Sequence, residues 1–286
     1  MPPHEPASLT AGLFLVATPI GAARDITLRA LDILRAADVI AAEDTRNTRK
    51  LMEIHGVALA GRPIIPYHDH NGAAQRPRIL RMIAEGKSVA YVSDAGTPLV
   101  ADPGFALARA AIAEGLPVHG APGASAVLAA LVVAGLPSDR FLFAGFPPPA
   151  KSARETWLRE LADVPATLVF FESPRRLSSN LKSCVAVLGE EREAAVCREL
   201  TKKFEEVRRG TLAELAEFYE DNPPKGEIVV VIDRSHSVAG PEARDAMLEE
   251  AMRTMSVKDA ARHVAEALGL PRRDVYQAAL ERAGRE

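Results

Sequence analysis

Short runs of apolar residues alternate along this chain with longer segments that are apolar on one face only. The first run, residues 13–17, is uninterrupted by polar side chains, which is typical of a strand covered on both faces. Residues 25–37 then place leucines at helical spacing, with charged side chains between them. Repeated units of this kind predict a parallel α/β sheet with right-handed crossovers. Further strands are predicted at 39–42, 64–65, 89–93 and 116–119, and helices at 46–55, 73–84 and 104–114.

A second alternation begins near residue 141. Residues 204–208 alternate apolar and charged side chains, as expected of a half-exposed antiparallel strand, so the second sheet is predicted to be mixed. Turn-forming residues cluster at 135–139 between the two alternations, which indicates a domain boundary. We predict an α/β domain at residues 1–136 and another at 137–235. In the second domain, strands are predicted at 141–146, 167–171, 194–198 and 228–232, and helices at 151–161, 174–188 and 211–219.

The remaining residues, 241–286, are predicted to form a small helical domain behind a linker at 235–241. Of its three short helices, at 242–254, 257–268 and 272–282, the last two resemble a helix-turn-helix pair. These helices carry cations, but acidic residues are interleaved with the cations. The unit is therefore interpreted either as an RNA-binding domain or as a solvated helical appendage. The cations are Lys258, Arg262, Arg272 and Arg273.

Residues 94–104 connect a predicted strand to a predicted helix. They contain two glycines, two prolines, one threonine and two aspartates, which suits recognition by backbone groups. In open α/β sheets, ligands bind at the carboxyl ends of strands. Asp102 before Pro103 is typical of a helix start. We therefore predict a ligand-binding loop in which Asp102 caps the helix rather than contacting the ligand.

The composition narrows the possible functions. A net charge of −3 provides no general attraction to nucleic acid, so RNA binding requires a local basic patch. The two cysteines are too few for a disulfide framework and favour buried thiols in a reducing compartment. The N-terminus lacks the basic region of a signal peptide, and the longest apolar stretch, 124–136, is shorter than the roughly 20 residues of a membrane span. We predict a cytoplasmic protein that does not bind membranes.

The glycine pattern excludes two common nucleotide-binding classes. The first strand–helix turn, residues 18–21, lacks the glycine spacing of a dinucleotide-binding fingerprint. The sequence contains no Walker loop either. Its glycine-rich elements come later, at Gly96 and Gly123.

Seven motifs, in order, resemble those of the tetrapyrrole-methylase superfamily, the class III S-adenosylmethionine-dependent methyltransferases. They are Ala17-Thr-Pro-Ile-Gly21, Ala41-Ala-Glu-Asp-Thr-Arg46, His68-Asp-His-Asn71, the loop 94–104, Pro122-Gly-Ala-Ser-Ala126, Phe170-Phe-Glu-Ser-Pro-Arg175 and Arg198-Glu-Leu-Thr-Lys202. Within the superfamily, the chain is similar to bacterial 16S ribosomal RNA methyltransferases that modify the ribose 2′-oxygen of a decoding-centre cytidine. The Gly-x-Gly-Pro-Gly-Asp turn of the tetrapyrrole branch is missing, and Ala22 stands where the rRNA branch usually has Asn.

The resemblance implies an elongated homodimer that binds S-adenosylmethionine in the cleft between its two α/β domains. The substrate it implies is 16S rRNA, in the 30S subunit or a late assembly particle. The cofactor-binding residues that the resemblance implies are Pro19, Thr97, Val100, Ser125, Ala126, Phe171, Val196 and Glu227. Without the resemblance, only Thr97 would be interpreted as a ligand contact. The residue types alone suit a helix cap at Ser125, core packing at Phe171 and Val196, and a surface charge at Glu227.

Methyl transfer to a hydroxyl requires alignment and a base that removes the hydroxyl proton. Two charged clusters at strand ends supply candidates, Glu43 with Asp44 and Glu199 with Lys202. A lysine base requires a lowered pKa, which neighbouring cations favour and neighbouring carboxylates oppose. For each candidate, an ion pair that holds a loop in place is the alternative.

Phosphate contacts are expected from arginines near these clusters and on the last helix, with ordinary surface pairing as the alternative. They are Arg24, Arg46, Arg175, Arg198, Arg272 and Arg273.

His68 and His70 would share one side of a strand, as two ligands of a metal ion could. No third ligand is near in sequence, so we predict a polar loop network and no metal.

Two further functions stay open. A methyltransferase acting on a tetrapyrrole would have a larger apolar cleft and no appended helices. A non-catalytic RNA- or ribosome-binding protein of the same fold would need no cofactor pocket.

Overall fold

The computed structural model describes residues 8–235, 241–268 and 270–283. Five parallel strands form the first sheet: β1 (Gly12–Val16), β2 (Val39–Ala42), β3 (Ile64–Pro66), β4 (Ser88–Val92) and β5 (Val118–Ala121). Their order across the sheet is β3-β2-β4-β1-β5. β1 is mostly buried and its neighbour β4, the central strand, is buried at every position, which explains their largely apolar sequences.

Helices cover both faces of this sheet. α1 (Leu28–Ala36) and α2 (Thr45–Ile54) pack on one face, and α3 (Gly72–Ala84) and α4 (Gly104–Ala113) on the other. α1 begins later than predicted, because a 3₁₀ turn precedes it and Thr27 caps it. The Thr27 hydroxyl oxygen accepts a hydrogen bond from the Ala30 N–H at 3.1 Å.

The second sheet is mixed, as predicted. Its strands are β6 (Phe141–Phe143), β7 (Thr167–Glu172), β8 (Glu193–Arg198), β9 (Glu206–Thr211) and β10 (Ile228–Ile232). They are ordered β6-β7-β10-β8-β9, with only the β6–β7 pair parallel. Three helices cover one face: α6 (Lys151–Leu161), α7 (Leu177–Leu188) and α8 (Leu212–Asp221).

The other face of the second sheet is covered by α5 (Ala126–Ala134). Val127 and Leu131 of this helix share an apolar cluster with Val229 and Val231 of β10. The predicted boundary at residue 136 therefore separates α5 from the sheet that it packs against. An apolar helix sequence does not indicate which of two sheets it will cover.

Three further helices form the C-terminal unit: α9 (Pro241–Met252), α10 (Val257–Leu268) and α11 (Arg272–Ala283). They share a small core that includes Leu248, Val264 and Val275, and they confirm the three predicted helices to within two residues. Most of the predicted linker, and residues 1–7, lie outside the described residues. No helix in the described part of the chain is long and apolar enough to cross a bilayer.

Candidate active site in the cleft between the sheets

A cavity of about 480 Å³ opens between the two sheets. Its first wall is formed by residues that follow β1, β2, β4 and β5, at the carboxyl edge where open α/β sheets bind ligands. Its second wall comes from the carboxyl ends of β7 and β8 and the start of β10. The volume lies within the range of about 300–1,000 Å³ that is typical of cofactor sites.

The loop after β4 is tied to both neighbouring loops. Thr18 and Gly96 exchange backbone hydrogen bonds of 3.0 and 3.1 Å. Gly96 has a φ of +78°, which favours glycine. Thr97 donates its hydroxyl to the carbonyl oxygen of Ala124 at 2.9 Å. The two predicted glycine-rich segments therefore meet at the cleft.

Asp102 holds the far end of this loop. Its Oδ1 accepts hydrogen bonds from the Tyr91 hydroxyl (2.9 Å), the Leu99 N–H (3.2 Å) and the Gly104 N–H (2.8 Å). Gly104 is the first residue of α4 and Pro103 is its N-cap, so Asp102 lies one position before the predicted cap, although its bond from the Gly104 N–H still ties it to the helix start. A Cβ atom on Gly104 would lie 2.3 Å from the buried Tyr91 ring, so glycine is required there.

Glu43 enters the cleft from the end of β2. Its Oε2 accepts a hydrogen bond from the Asp94 N–H at 3.0 Å. Burial raises the pKa of Glu43. The Asp94 N–H opposes this shift, whereas the charges of Asp102, Asp94 and Asp69 add to it. A carboxylate with a raised pKa is a stronger base than an exposed one.

Asp44, the next residue, is engaged at the start of α2. It caps the helix by accepting the Arg46 N–H at 2.8 Å, and it pairs with the Arg46 guanidinium at 2.6 Å. These bonds lower the pKa of Asp44 to about 2. Asp44 is therefore a much weaker base than Glu43.

Lys202 lies between two carboxylates. Its Nζ is 2.8 Å from Glu199 Oε1 and 2.9 Å from Glu227 Oε2. Burial alone would lower the pKa of Lys202, but the bonds and charges of the two carboxylates outweigh burial, and the net shift is upward. The bond from Lys202 in turn lowers the pKa of Glu199. Lys202 thus lacks the lowered pKa of a lysine base, and the ion-pair interpretation fits both residues.

The loop after β8, which contains Glu199 and Lys202, packs against the turn after β1. The Ala22 N–H, after β1, donates to Thr201 Oγ1 at 3.0 Å. A Cβ atom on Gly21 would lie 2.5 Å from the Lys202 side chain, so the approach of these loops requires glycine. The turn after β1 and the loop after β8 are therefore in direct contact.

The family model described as Tetrapyrrole (Corrin/Porphyrin) Methylases matches residues 12–216. The chain belongs to the tetrapyrrole methylase family. A second model, the RsmI C-terminal HTH domain, matches residues 238–283 of this methylase.

Relatives named ribosomal RNA small subunit methyltransferase I match over almost the whole chain. The protein from Erythrobacter litoralis is 49% identical, over 97% of this chain and 98% of its own. The protein from Mesorhizobium japonicum is 48% identical, over 98% of this chain and 93% of its own. The methylase therefore belongs with the small-subunit rRNA methyltransferase I proteins.

Solved structures share the fold of the methylase. A conserved hypothetical protein from Aeropyrum pernix K1 aligns with a TM-score of 0.61 at 20% identity, over 97% of this chain and 98% of that one. The uroporphyrin-III C-methyl transferase from Thermus thermophilus, complexed with S-adenyl homocysteine, aligns with a TM-score of 0.54 at 21% identity, over 78% and 97%. These likenesses establish the fold class that the motifs imply.

Most residues assigned to cofactor binding in the methylase line the cleft. They are Thr97, Val100, Ser125, Ala126, Phe171 and Glu227. Two of the assigned residues do not line it. Val196 is buried on the opposite face of β8, beneath the helices, and the adjacent Cys197 lines the cleft instead, because strand residues alternate between faces. Pro19 is not among the lining residues, whereas Ile20 is. Alternation along β8 is the sequence signal that would have indicated Cys197.

The arginines assigned to phosphate contact differ in their pairing. Arg198 pairs with Glu206 at 3.0 Å, and Arg46 pairs with Asp44. The other four are exposed and form no ion pair with a described residue. They are Arg24, Arg175, Arg272 and Arg273.

The His68–Asn71 segment is a turn, not a strand, and it forms the predicted polar network. Asn71 Oδ1 accepts the His68 N–H at 2.9 Å, and Asn71 Nδ2 donates to the Pro66 carbonyl at 3.0 Å. Among the described residues, no group of three His, Cys, Asp or Glu side chains is placed to hold a metal ion. The absence of a metal stays a prediction.

Burial raises the pKa of the cleft residue Cys197 to about 12, so its thiol is neutral.

Proposed function

We propose that this methylase transfers a methyl group from S-adenosylmethionine to the ribose 2′-oxygen of a decoding-centre cytidine in 16S rRNA. A cofactor-sized cleft and an appended helical domain occur in one chain, and this combination carries the proposal. A tetrapyrrole methyltransferase would not need the appended helices. A non-catalytic RNA-binding protein would not need the cleft.

The residues of the cleft fit S-adenosylmethionine. Ser125 is the N-cap of α5 and its side chain makes no capping hydrogen bond, so the first N–H groups of the helix are available to a carboxylate of the cofactor. Ile20 and Phe171 supply apolar walls for a flat ring, and Thr97 supplies a hydroxyl. The bound group would supply a methyl on a positively charged sulfur, which is already activated for transfer.

Glu43 is the general base in this proposal. The Asp94 N–H holds Oε2, and the other carboxylate oxygen of Glu43 accepts the proton of the 2′-hydroxyl. Lys202 positions Glu227 at the cleft wall through their 2.9 Å ion pair. The protein thus supplies alignment and proton removal, which are what this reaction requires.

The proposal also covers the form of the rRNA substrate and the oligomeric state of the protein. The substrate is the 30S subunit or a late assembly particle in the bacterial cytoplasm, contacted by the exposed arginines and the helix-turn-helix unit. The functional form is a homodimer. Support for the dimer comes from large apolar side chains that are at least half exposed on α4 and α5. They are Phe105, Ile112, Leu128 and Val132.

A labelled-methyl assay tests the function directly. Tritiated S-adenosylmethionine is incubated with the protein and either 30S subunits or free 16S rRNA, and the RNA is digested to nucleosides. We expect label in 2′-O-methylcytidine. Label in a base, or transfer only to a tetrapyrrole, would contradict the proposal. Failure to bind S-adenosylmethionine in calorimetry would favour the non-catalytic alternative.

Filling the cleft should weaken cofactor binding. Ala126→Phe places a large ring against the cavity, and overpacking typically costs about 1–3 kcal/mol. We expect the affinity for S-adenosylmethionine to fall about 10- to 100-fold in calorimetry. Ala84→Phe is the matched control, because it makes the same change at an exposed position at the end of α3 that is not among the cleft-lining residues. Equal affinities in both variants would place the cofactor away from α5.

A further inference from the structure

We propose that the outward face of α2 is a phosphate-binding surface that guides rRNA to the cleft. This inference rests on the proposed function and adds residues outside the cleft. Arg46, Arg49 and Lys50 occupy positions i, i+3 and i+4 of α2, which share one face of a helix. All three are exposed, whereas Thr48 and Met52 are buried on the side that packs against the first sheet.

α2 starts at the rim of the cleft. Its cap residue, Asp44, directly follows Glu43, which lines the cavity. At the other end of the helix, His55 Nε2 lies 2.9 Å from the carbonyl oxygen of Ala23, next to the exposed Arg24. A helix of this length spans roughly 15 Å, since each residue rises about 1.5 Å. The three cations therefore form a row along the half of α2 that is next to the cleft, and the chain at Arg24 passes near the other end of the helix.

Most of this row is available to an external anion. Among the described residues, Arg49 and Lys50 form no ion pair, although Glu53 lies one turn further along the helix. Arg46 pairs with Asp44, yet its side chain remains 87% exposed. Exposed, unpaired cations are what phosphate contacts require, since neutralising phosphates releases their counterions.

Acidic residues in and beside the cleft favour such a surface. Glu43 and Asp94 line the cavity, and Asp102 and Asp69 lie near enough for their charges to add to the raised pKa of Glu43; charges of this sign repel a phosphate backbone. The net charge of −3 offers no compensating attraction over the whole protein. Cations beside the cleft offset this repulsion, and α2 carries three of them directly after Glu43 in the chain. Contacts of this kind position the RNA without reading its sequence.

The test compares two double variants of the full chain in the methyl-transfer assay on 30S subunits. Arg49→Ala with Lys50→Ala removes two cations from α2. Arg78→Ala with Arg81→Ala removes two exposed cations from α3, which covers the opposite face of the first sheet. We expect the α2 variant to raise the KM for 30S subunits and to reduce the slope of log affinity against log salt by about 2. The α3 variant should retain the wild-type slope, and both should bind S-adenosylmethionine normally.

A charge-conserving variant, Arg49→Lys with Lys50→Arg, should restore most of the wild-type slope and KM. An α2 variant that methylates with the wild-type KM and slope would overturn the surface and leave the proposed function intact. An equal loss in the α2 and α3 variants would also overturn it, because that result reflects overall charge. A wild-type protein that transfers no methyl to rRNA would instead overturn the proposed function.

Discussion

Replacing Glu43 by glutamine is expected to lower kcat about 10²- to 10⁴-fold, the usual contribution of a general base. The substitution keeps the size of the side chain, and the amide oxygen can still accept the Asp94 N–H that Glu43 Oε2 accepts at 3.0 Å. Only the ability to take a proton is lost. Calorimetry should therefore show an unchanged affinity for S-adenosylmethionine, with the loss confined to the transfer step.

The pH dependence of the wild-type protein provides an independent measurement. Burial and neighbouring carboxylates raise the pKa of Glu43 above that of an ordinary glutamate, and only the deprotonated form can act as a base. Activity should therefore rise as the pH passes upward through this raised pKa and level off above it. Glu43→Gln should lose this acidic limb.

Asp44→Asn is the matched control for Glu43→Gln. Asp44 is adjacent in sequence, but its carboxylate caps α2 and pairs with Arg46. Asparagine also caps helices, so we expect kcat to change by no more than about threefold, as for an ordinary surface substitution. Equal losses in the two variants, or full activity of Glu43→Gln, would show that Glu43 is not the base.

The inner strands of the two sheets could be predicted from the sequence because they are buried on both faces. Residues 39–42 and 228–232 are uninterrupted apolar runs, and both form strands with the predicted bounds. The alternating segment near residue 206 likewise becomes the antiparallel edge strand β9. α5 shows the limit of this reasoning. Its apolar sequence predicts burial, but its choice of the second sheet depends on how the two units meet.

The roles of the candidate site residues could not be predicted from the sequence, because they depend on tertiary contacts. Glu43 and Asp44 are adjacent acidic residues, and only the cleft and the Arg46 pairing separate a strong base from a weak one. The sequence allows Lys202 to serve as a base, but the fold brings Glu227, the residue before β10, against it, and together with Glu199 this carboxylate raises the pKa of Lys202. Contacts between distant segments thus decide the chemistry of residues that the motifs already identify.

The motif at residues 170–175 has a structural basis in Glu172, and replacing this residue by alanine is expected to destabilise the protein by about 3–5 kcal/mol. The Glu172 side chain is only 1% exposed. Its carboxylate accepts hydrogen bonds from the Ser173 N–H (2.6 Å), Arg176 Nε (2.8 Å) and Asn180 Nδ2 (2.6 Å), and Arg176 Nη2 lies 2.7 Å away. Alanine would leave the Arg176 charge and the Asn180 amide without their acceptor.

Urea unfolding measures this loss as a lower midpoint with an unchanged slope. Glu220→Ala is the control, because Glu220 also pairs with a cation of α7, Lys182, but both side chains are about half exposed. Exposed pairs contribute about 0–1 kcal/mol, so the control should unfold almost like the wild type. A similarly small loss in Glu172→Ala would refute the central role of Glu172. A large loss would mean that burial makes this ion pair essential, because it fixes the end of β7 and the turn after it, where Phe171, Glu172 and Ser173 line the cleft.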